Sequence, residues 1–177
     1  MDEENEHRLR FRDAMANLSA AVNIITTNGI AGRYGITATA VCSVTDTPPT
    51  LLVCINRNSV MNSVLQNNGQ LCVNILNHQQ ESLACHFAGK TDNNMEERFN
   101  WGIWETGKLG QPKLQYALAN LEGNIVQIQE VSTHYVYLVE IKKMTIQSTG
   151  HGLIYFKRVF HPLIQLMGKE LSIEANC

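Results

Sequence analysis

One stretch constrains this chain more than any other: Gly35-Ile36-Thr37-Ala38-Thr39-Ala40-Val41-Cys42-Ser43, then Asp46-Thr47-Pro48-Pro49-Thr50, then Leu51-Leu52-Val53-Cys54-Ile55-Asn56-Arg57-Asn58-Ser59. Two apolar runs flank a double-proline turn, which reads as two strands joined by a tight connection. The first run is studded with Thr and Ala. Such a strand fills a core poorly, but it lets a flat ligand lie close against the backbone, where N–H and C=O groups read polar edges. The second run ends in Asn56-Arg57-Asn58-Ser59, a polar loop that opens a helix. That loop offers a cation, amide donors and a helix N-terminus, which together suit a phosphate. The pair reads as a cradle for a flat, phosphorylated cofactor, and flavin is the best candidate.

The chain has 177 residues, enough for one domain with a sizeable core. Only 17% of residues are charged, so much of the surface is expected to be neutral polar or covered by a partner subunit. The net charge of −2 gives no electrostatic footprint for nucleic acid and no polybasic patch for a membrane. Residues Met1 to Arg12 are highly charged, unlike a signal peptide, and no apolar run is long enough to span a bilayer. These features predict a cytoplasmic protein. The five cysteines, Cys42, Cys54, Cys72, Cys85 and Cys177, are odd in number and irregular in spacing. They read as small buried hydrophobes in a reducing compartment. Only Cys85 and His86 are adjacent, with His78 seven residues before Cys85, and no metal site is expected.

Along the chain, residues 6–20 predict a helix, with Phe11, Ala14, Met15 and Leu18 forming one apolar stripe. Strand patterns follow at 21–27, 34–43 and 50–56, the first two joined by the glycine-bearing loop Asn28 to Arg33. Ser59 is a natural N-cap, and Asn67-Asn68-Gly69 a stop signal for the helix it opens. Residues 71–76 form a strand. Asn77 with Gln80 looks like an Asn version of a capping box, opening a helix that carries Leu83, Ala84 and Phe87 and ends at Gly89. Residues 90–112 are least regular, with one helical turn at Met95 to Phe99 and a packed surface loop around Trp101, Trp104 and Pro112. Strand patterns return at 122–131, 134–147 and 152–158, and the tail from Leu163 reads as helical or frayed. Strands this close in sequence predict a mainly β fold: an antiparallel barrel with helices around it.

Several chemistries are missing from the sequence. No Gly-x-Gly-x-x-Gly follows a strand, and there is no Walker loop, Gly-x-Ser-x-Gly elbow or His-Glu-x-x-His. Carboxylates are sparse in the strands, so hydrolytic acid–base chemistry has little to work with. Hydride transfer needs little of it, because the cofactor supplies the electronics. Of the six histidines, His134 and His151 stand at strand ends, where a barrel rim meets ligands; a turn residue satisfied by backbone is the alternative for each. Arg57 is either a phosphate contact or a solvated loop charge. Tyr155 and Phe156 alternate along a strand. Asn74, polar within an apolar strand, must be hydrogen-bonded if buried, to backbone or to a ligand.

These residues together resemble the short-chain flavin reductase family, whose fold is the FMN-binding split β-barrel. The resemblance runs from about residue 7 to residue 162. It rests on Arg10-Phe11-Arg12-Asp13-Ala14-Met15, on Gly35 to Val44, and on Pro48-Pro49 with Cys54-Ile55-Asn56-x-Asn58-Ser59. It continues through Cys72-Val73-Asn74, His86-Phe87-Ala88-Gly89, Glu96-Glu97-Arg98-Phe99 and His151-Gly152-Leu153-Ile154-Tyr155-Phe156. Each piece alone is weak; their order and spacing are specific.

The resemblance implies a homodimer that uses NADH, or NADPH, to reduce FAD or FMN. Reduced flavin would then diffuse to a separate oxygenase that hydroxylates a phenol. It implies that Thr37, Ala38, Thr39 and Ala40 line the flavin ring. Asn56, Asn58 and Ser59 would hold the ribityl-phosphate end, with Arg57 nearby. Phe87, Ala88 and Gly89 would close over the ring, and His134 and Tyr155 would border the nicotinamide, His134 being the catalytic candidate. One departure stands out: many members carry Gly-Asp-His where this chain has Ser132-Thr133-His134, so the histidine is kept and the acid is not. The expectation is a flavin reductase-like domain over 1–177, with its core at 7–162 and a tail at 163–177. The alternatives are a split-barrel oxidase acting on its own substrate, or a non-catalytic flavin- or haem-binding protein. The few Lys and Arg outside the first helix argue against a second phosphate site of the kind such an oxidase needs.

Overall fold

The computed structural model describes residues 3–164. Its order is α1 (Glu3–Met15), β1 (Ala20–Ala21), β2 (Asn23–Thr27), β3 (Tyr34–Ala38), β4 (Val41–Asp46), β5 (Pro49–Asn56), α2 (Met61–Asn68) and β6 (Gln70–Ile75). After a 3-10 turn at His78–Gln80 come α3 (Glu81–Phe87), α4 (Met95–Phe99), β7 (Trp104–Thr106), β8 (Pro112–Leu114), β9 (Ala119–Val131), β10 (His134–Ile146), β11 (Gly152–Phe156) and β12 (Val159–Leu163). Among the described residues no helix is long and apolar enough to cross a membrane. The expected helix or fraying of the tail, and Cys177, lie outside the described residues from 165 onward.

Seven strands form one antiparallel sheet in the order β3-β2-β6-β9-β10-β5-β4. Strands from both ends of this order share one core. Ile25 of β2, Leu51, Val53 and Ile55 of β5, and Tyr137, Val139 and Ile141 of β10 pack with Tyr34, Ile36 and Ala38 of β3. The sheet is therefore curled into a barrel, plugged by Met61 and Leu65 of α2. It is split where β3 and β4 end the sheet without pairing to each other. Every residue of β2 is buried, because its other face supports a second core. There Val22 and Ile24 meet Leu83, Ala84 and Phe87 of α3, Phe99 of α4, and Leu153 of the small sheet β1-β11-β12.

Local signals explain much of this. Asn77 and Gln80 form the expected reciprocal capping box, and α2 ends at Gly69 with φ of 71°. Asn74 is fully buried and satisfied by protein: it donates to the Ile24 carbonyl at 2.9 Å and accepts from Leu114 N–H at 2.9 Å and Asn120 Nδ2 at 2.8 Å.

Other expectations need correction. The first helix spans Glu3–Met15, not 6–20, and buries nothing; Phe11 is 62% exposed and Leu18 61%. The 34–43 run is two strands broken at Thr39-Ala40. The surface loop of 101–112 contains the hairpin β7–β8, and 152–158 ends at Phe156, where Lys157 and Arg158 turn the chain into β12. Of the four described cysteines Cys72 is buried, Cys54 and Cys85 are half-buried and Cys42 is exposed, so burial does not explain them all.

Candidate functional site

The break at Thr39-Ala40 makes the site. Leaving β3, the chain crosses to the opposite end of the sheet and enters β4, which pairs with β5 only from Val53 back to Pro49. Residues 54–56 of β5 thus overhang the end of β4, anchored by Cys54 N–H donating to the Ala40 carbonyl at 3.0 Å. Along the split, the outer edge of β3 and the overhanging edge of β5 bound a groove of ≈ 340 Å³. Thr37, Ala38, Thr39 and Ala40 lie along it, Asn56 and Ser59 stand at one end, and Phe87 and Ala88 form the far wall. Ile36, Cys54 and Ile55 also line it; strand continuity into Asn56 was the signal for the last two.

Small side chains along a strand edge leave the backbone accessible, so the groove suits a flat body with polar rims. The wall opposite is fixed from within. The Thr37 hydroxyl donates to the Ala84 carbonyl of α3 at 2.6 Å, so it braces the helix over the groove and its proton is not free for a ligand. Phe87 is held edge-on to Phe99 at 5.1 Å, with Trp104 against both rings.

The loop at the polar end is differently wired from the sequence expectation. Its amides are already used: Arg57 N–H donates to the Thr133 carbonyl at 2.8 Å, Asn58 N–H to Asn56 Oδ1 at 2.9 Å, and Ser59 N–H to the Asn56 carbonyl at 2.9 Å. The cap position of α2 is Val60, not Ser59, although Ser59 Oγ accepts from Met61 N–H at 3.3 Å. Arg57 turns away to pair with Glu130 at 2.6 Å. What these bonds leave for an anion is side-chain donors: the amides of Asn56 and Asn58 and the Ser59 hydroxyl proton.

Five named residues stand beside the groove without lining it: Arg57, Asn58, Gly89, His134 and Tyr155. Gly89 follows Ala88 with φ of 72° at the end of α3. His134 opens β10 directly across from Asn56 of β5, so the two side chains share a face of the sheet. Its Nδ1 lies 2.8 Å from the Thr133 hydroxyl, which occupies the place of the missing acid as a neutral partner. Tyr155 borders an adjoining cavity of ≈ 490 Å³ that meets the groove at Thr39 and Ala40 and is also lined by Phe11, Met15, Arg12 and Arg158. His151 lies elsewhere, its ring 5.2 Å from that of His78, and its carbonyl accepts from His78 N–H. His86 stacks on Trp101 at 4.4 Å.

A split barrel with a groove along its seam is the architecture expected from the motifs above, and residues 15–163 match the flavin reductase like domain. The chain belongs to that family. It is 66% identical over 160 residues to the 4-hydroxyphenylacetate 3-monooxygenase reductase component of Escherichia coli, covering 90% of this chain and 94% of the relative. It is 51% identical over 153 residues to the FMN reductase (NADH) RutF of Cronobacter turicensis, covering 86% and 91%. Among solved structures it resembles the Streptomyces globisporus C-1027 NADH:FAD oxidoreductase SgcE6 in complex with NAD and FAD fragments. There the TM-score is 0.81 at 27% identity, covering 88% of this chain and 92% of that one.

Proposed function

We propose that this chain is an NAD(P)H:flavin oxidoreductase that hands reduced flavin to a separate oxygenase, the partner being 4-hydroxyphenylacetate 3-monooxygenase. The groove carries the reading. It is open, flanked by backbone edges and small side chains, and polar at the end where the loop Asn56–Ser59 stands. The similarity to a reductase component at 66% identity supports the partner. Flavin held there would supply the two-electron chemistry of hydride transfer.

The chain's own residues bind and orient. Thr37 to Ala40 present backbone to the ring, and Phe87 and Ala88 keep water from one side of it. Asn56 and Ser59, with Asn58 beside them, hold the phosphate end, and Arg57 with Glu130 ties the loop to β9. His134, beside Asn56 and hydrogen-bonded through Nδ1, offers Nε2 at the rim, where a donor stabilises developing charge. Tyr155 flanks the entrance for the nicotinamide, and Gly89 lets α3 end at the groove mouth. No acid or base from this chain is required by hydride transfer itself.

The family match over 15–163 supports one flavin reductase-like domain across 1–177. The working unit is a homodimer: Phe11 and Met15 of α1 and Leu18 in the turn after it are exposed next to the cavity that adjoins the groove. The four described cysteines are free thiols, which suits the cytoplasm.

The test is NADH oxidation with FAD or FMN and no third substrate. Rapid oxidation with either flavin supports the reductase; none with both overturns it, and oxygen consumption driven by an organic substrate in the absence of NADH points to an oxidase. Hydroxylation of 4-hydroxyphenylacetate by an oxygenase held behind a dialysis membrane tests transfer by diffusion. Ser59→Ala should raise the KM for FMN about ten-fold, the loss of one hydrogen bond to a charged group. Sedimentation showing a fully active monomer refutes the dimer.

A further inference from the structure

The loop Asn56–Ser59 is held from beneath by one side chain. Asn62, in the first turn of α2 and only 4% exposed, donates through Nδ2 to three carbonyls of that loop. The distances are 2.8 Å to Asn56, 3.2 Å to Arg57 and 3.0 Å to Ser59. Its Oδ1 accepts from the Tyr137 hydroxyl at 2.8 Å. Tyr137 is fully buried on β10, and its oxygen accepts in turn from Gln66 Nε2 at 3.5 Å. Neither Asn62 nor Tyr137 lines the groove.

Electrostatics gives this arrangement a purpose. A carbonyl oxygen is the negative end of the peptide dipole, and a loop that aims carbonyls into a site repels an anion. Here three successive or near-successive carbonyls are gathered onto one NH2 group on the core side. The side turned to the groove is left with the donors of Asn56 and Ser59. The three carbonyls can only accept, so they fix which way round the amide sits, and the Tyr137 hydroxyl, donating to Oδ1, holds it in place from the other side. Inverting the amide would set its oxygen against three carbonyl oxygens.

We propose that Asn62, tethered by Tyr137, is a positioning residue that sets the anion-binding face of this loop and hence the preference for flavin that carries phosphate. This rests on the reading of Asn56–Ser59 as the phosphate end. A pair that merely filled the core would act otherwise, since its loss would loosen the barrel and weaken every flavin alike.

FMN and riboflavin share ring and ribityl chain and differ in the phosphate, so their Kd ratio isolates the effect. The comparison uses the full-length protein as wild type, Tyr137→Phe and Asn62→Ser. Wild type should bind FMN at least about ten-fold more tightly than riboflavin. Each variant should weaken FMN by roughly three- to ten-fold, the worth of one hydrogen bond, and riboflavin by less than about two-fold. Tyr137→Phe keeps the ring and the packing, so it decides alone if Asn62→Ser fails to fold. A Kd ratio left at the wild-type value in Tyr137→Phe overturns the positioning role, as does equal weakening of both flavins. Equal binding of FMN and riboflavin by wild type overturns the phosphate-loop reading itself, and the inference with it.

Discussion

Replacing Gly35 by Ala tests the link between core packing and the groove. A Cβ at this position would stand 2.7 Å from Phe87 Cε1, 3.0 Å from Phe87 Cδ1 and 3.3 Å from Phe99 Cζ. Gly35 is not among the glycines with positive φ, so alanine meets no backbone strain there. It would even gain about 0.5–1 kcal/mol by restricting the unfolded chain. The whole cost is therefore steric. Phe87 and Phe99 cannot retreat: they are 2% and 5% exposed and locked against each other and Trp104. Forcing a methyl group into such a core costs about 1–3 kcal/mol. The net loss is about 0–2.5 kcal/mol, and at roughly 2–4 °C per kcal/mol for a chain of this size, Tm should fall by up to about 10 °C. Because Phe87 and Ala88 wall the groove, the same displacement should raise the flavin KM about two- to five-fold. Thermal melts followed by circular dichroism, with steady-state kinetics on the same preparation, measure both. A variant melting at or above wild type with unchanged flavin KM would refute the claim that Gly35 exists to let α3 approach.

Further outcomes follow from other contacts. Asn74→Leu strands the Leu114 N–H and the Asn120 side chain in the core, so urea denaturation should show a loss of about 2–5 kcal/mol; a loss under about 1 kcal/mol would mean the network is dispensable. His134→Asn should raise the NADH KM yet keep kcat above about 1% of wild type, because orientation rather than obligatory proton transfer is asked of it; a deeper fall in kcat would make it a general acid or base. Burial pushes the Cys54 thiol above its usual range, so less thiolate is present at neutral pH. In alkylation mapped by mass spectrometry, Cys54 should react more slowly than exposed Cys42, faster as pH rises, and more slowly again with FMN present. Labelling of Cys54 that flavin does not slow would place the ligand elsewhere.

Signals within a few residues of each other were legible in the sequence. The Asn77–Gln80 box, the Gly69 stop and the single turn at Met95–Phe99 each depend on local backbone chemistry and appear where expected. Turns without Gly or Pro were hidden. Thr39-Ala40 has neither, and Lys157 and Arg158 adopt φ of 49° and 65° that their side chains do not advertise, so β3 and β4 were read as one run and β12 was missed. The apolar stripe of α1 shows that a face wants cover but not what covers it. At the site, Thr37 to Ala40, Asn56, Ser59, Phe87 and Ala88 come together as the motifs implied. The engaged amides of the loop, the Arg57–Glu130 pair and the Asn62–Tyr137 clamp depend on β5, β9 and β10 meeting in space, which no short window of sequence reports.

A barrel left unsealed along β3 keeps backbone donors and acceptors that any extended segment could pair with. Such edges are where chains add strands to one another and aggregate. The α3 wall, pinned by Thr37 and crowded onto Gly35, narrows the approach to that edge. A flat ligand slips in sideways where a strand with its side chains does not. Flavin bound in the groove as proposed would therefore act as a guard as well as a reactant, covering the free edge of β3 against pairing with a neighbouring molecule.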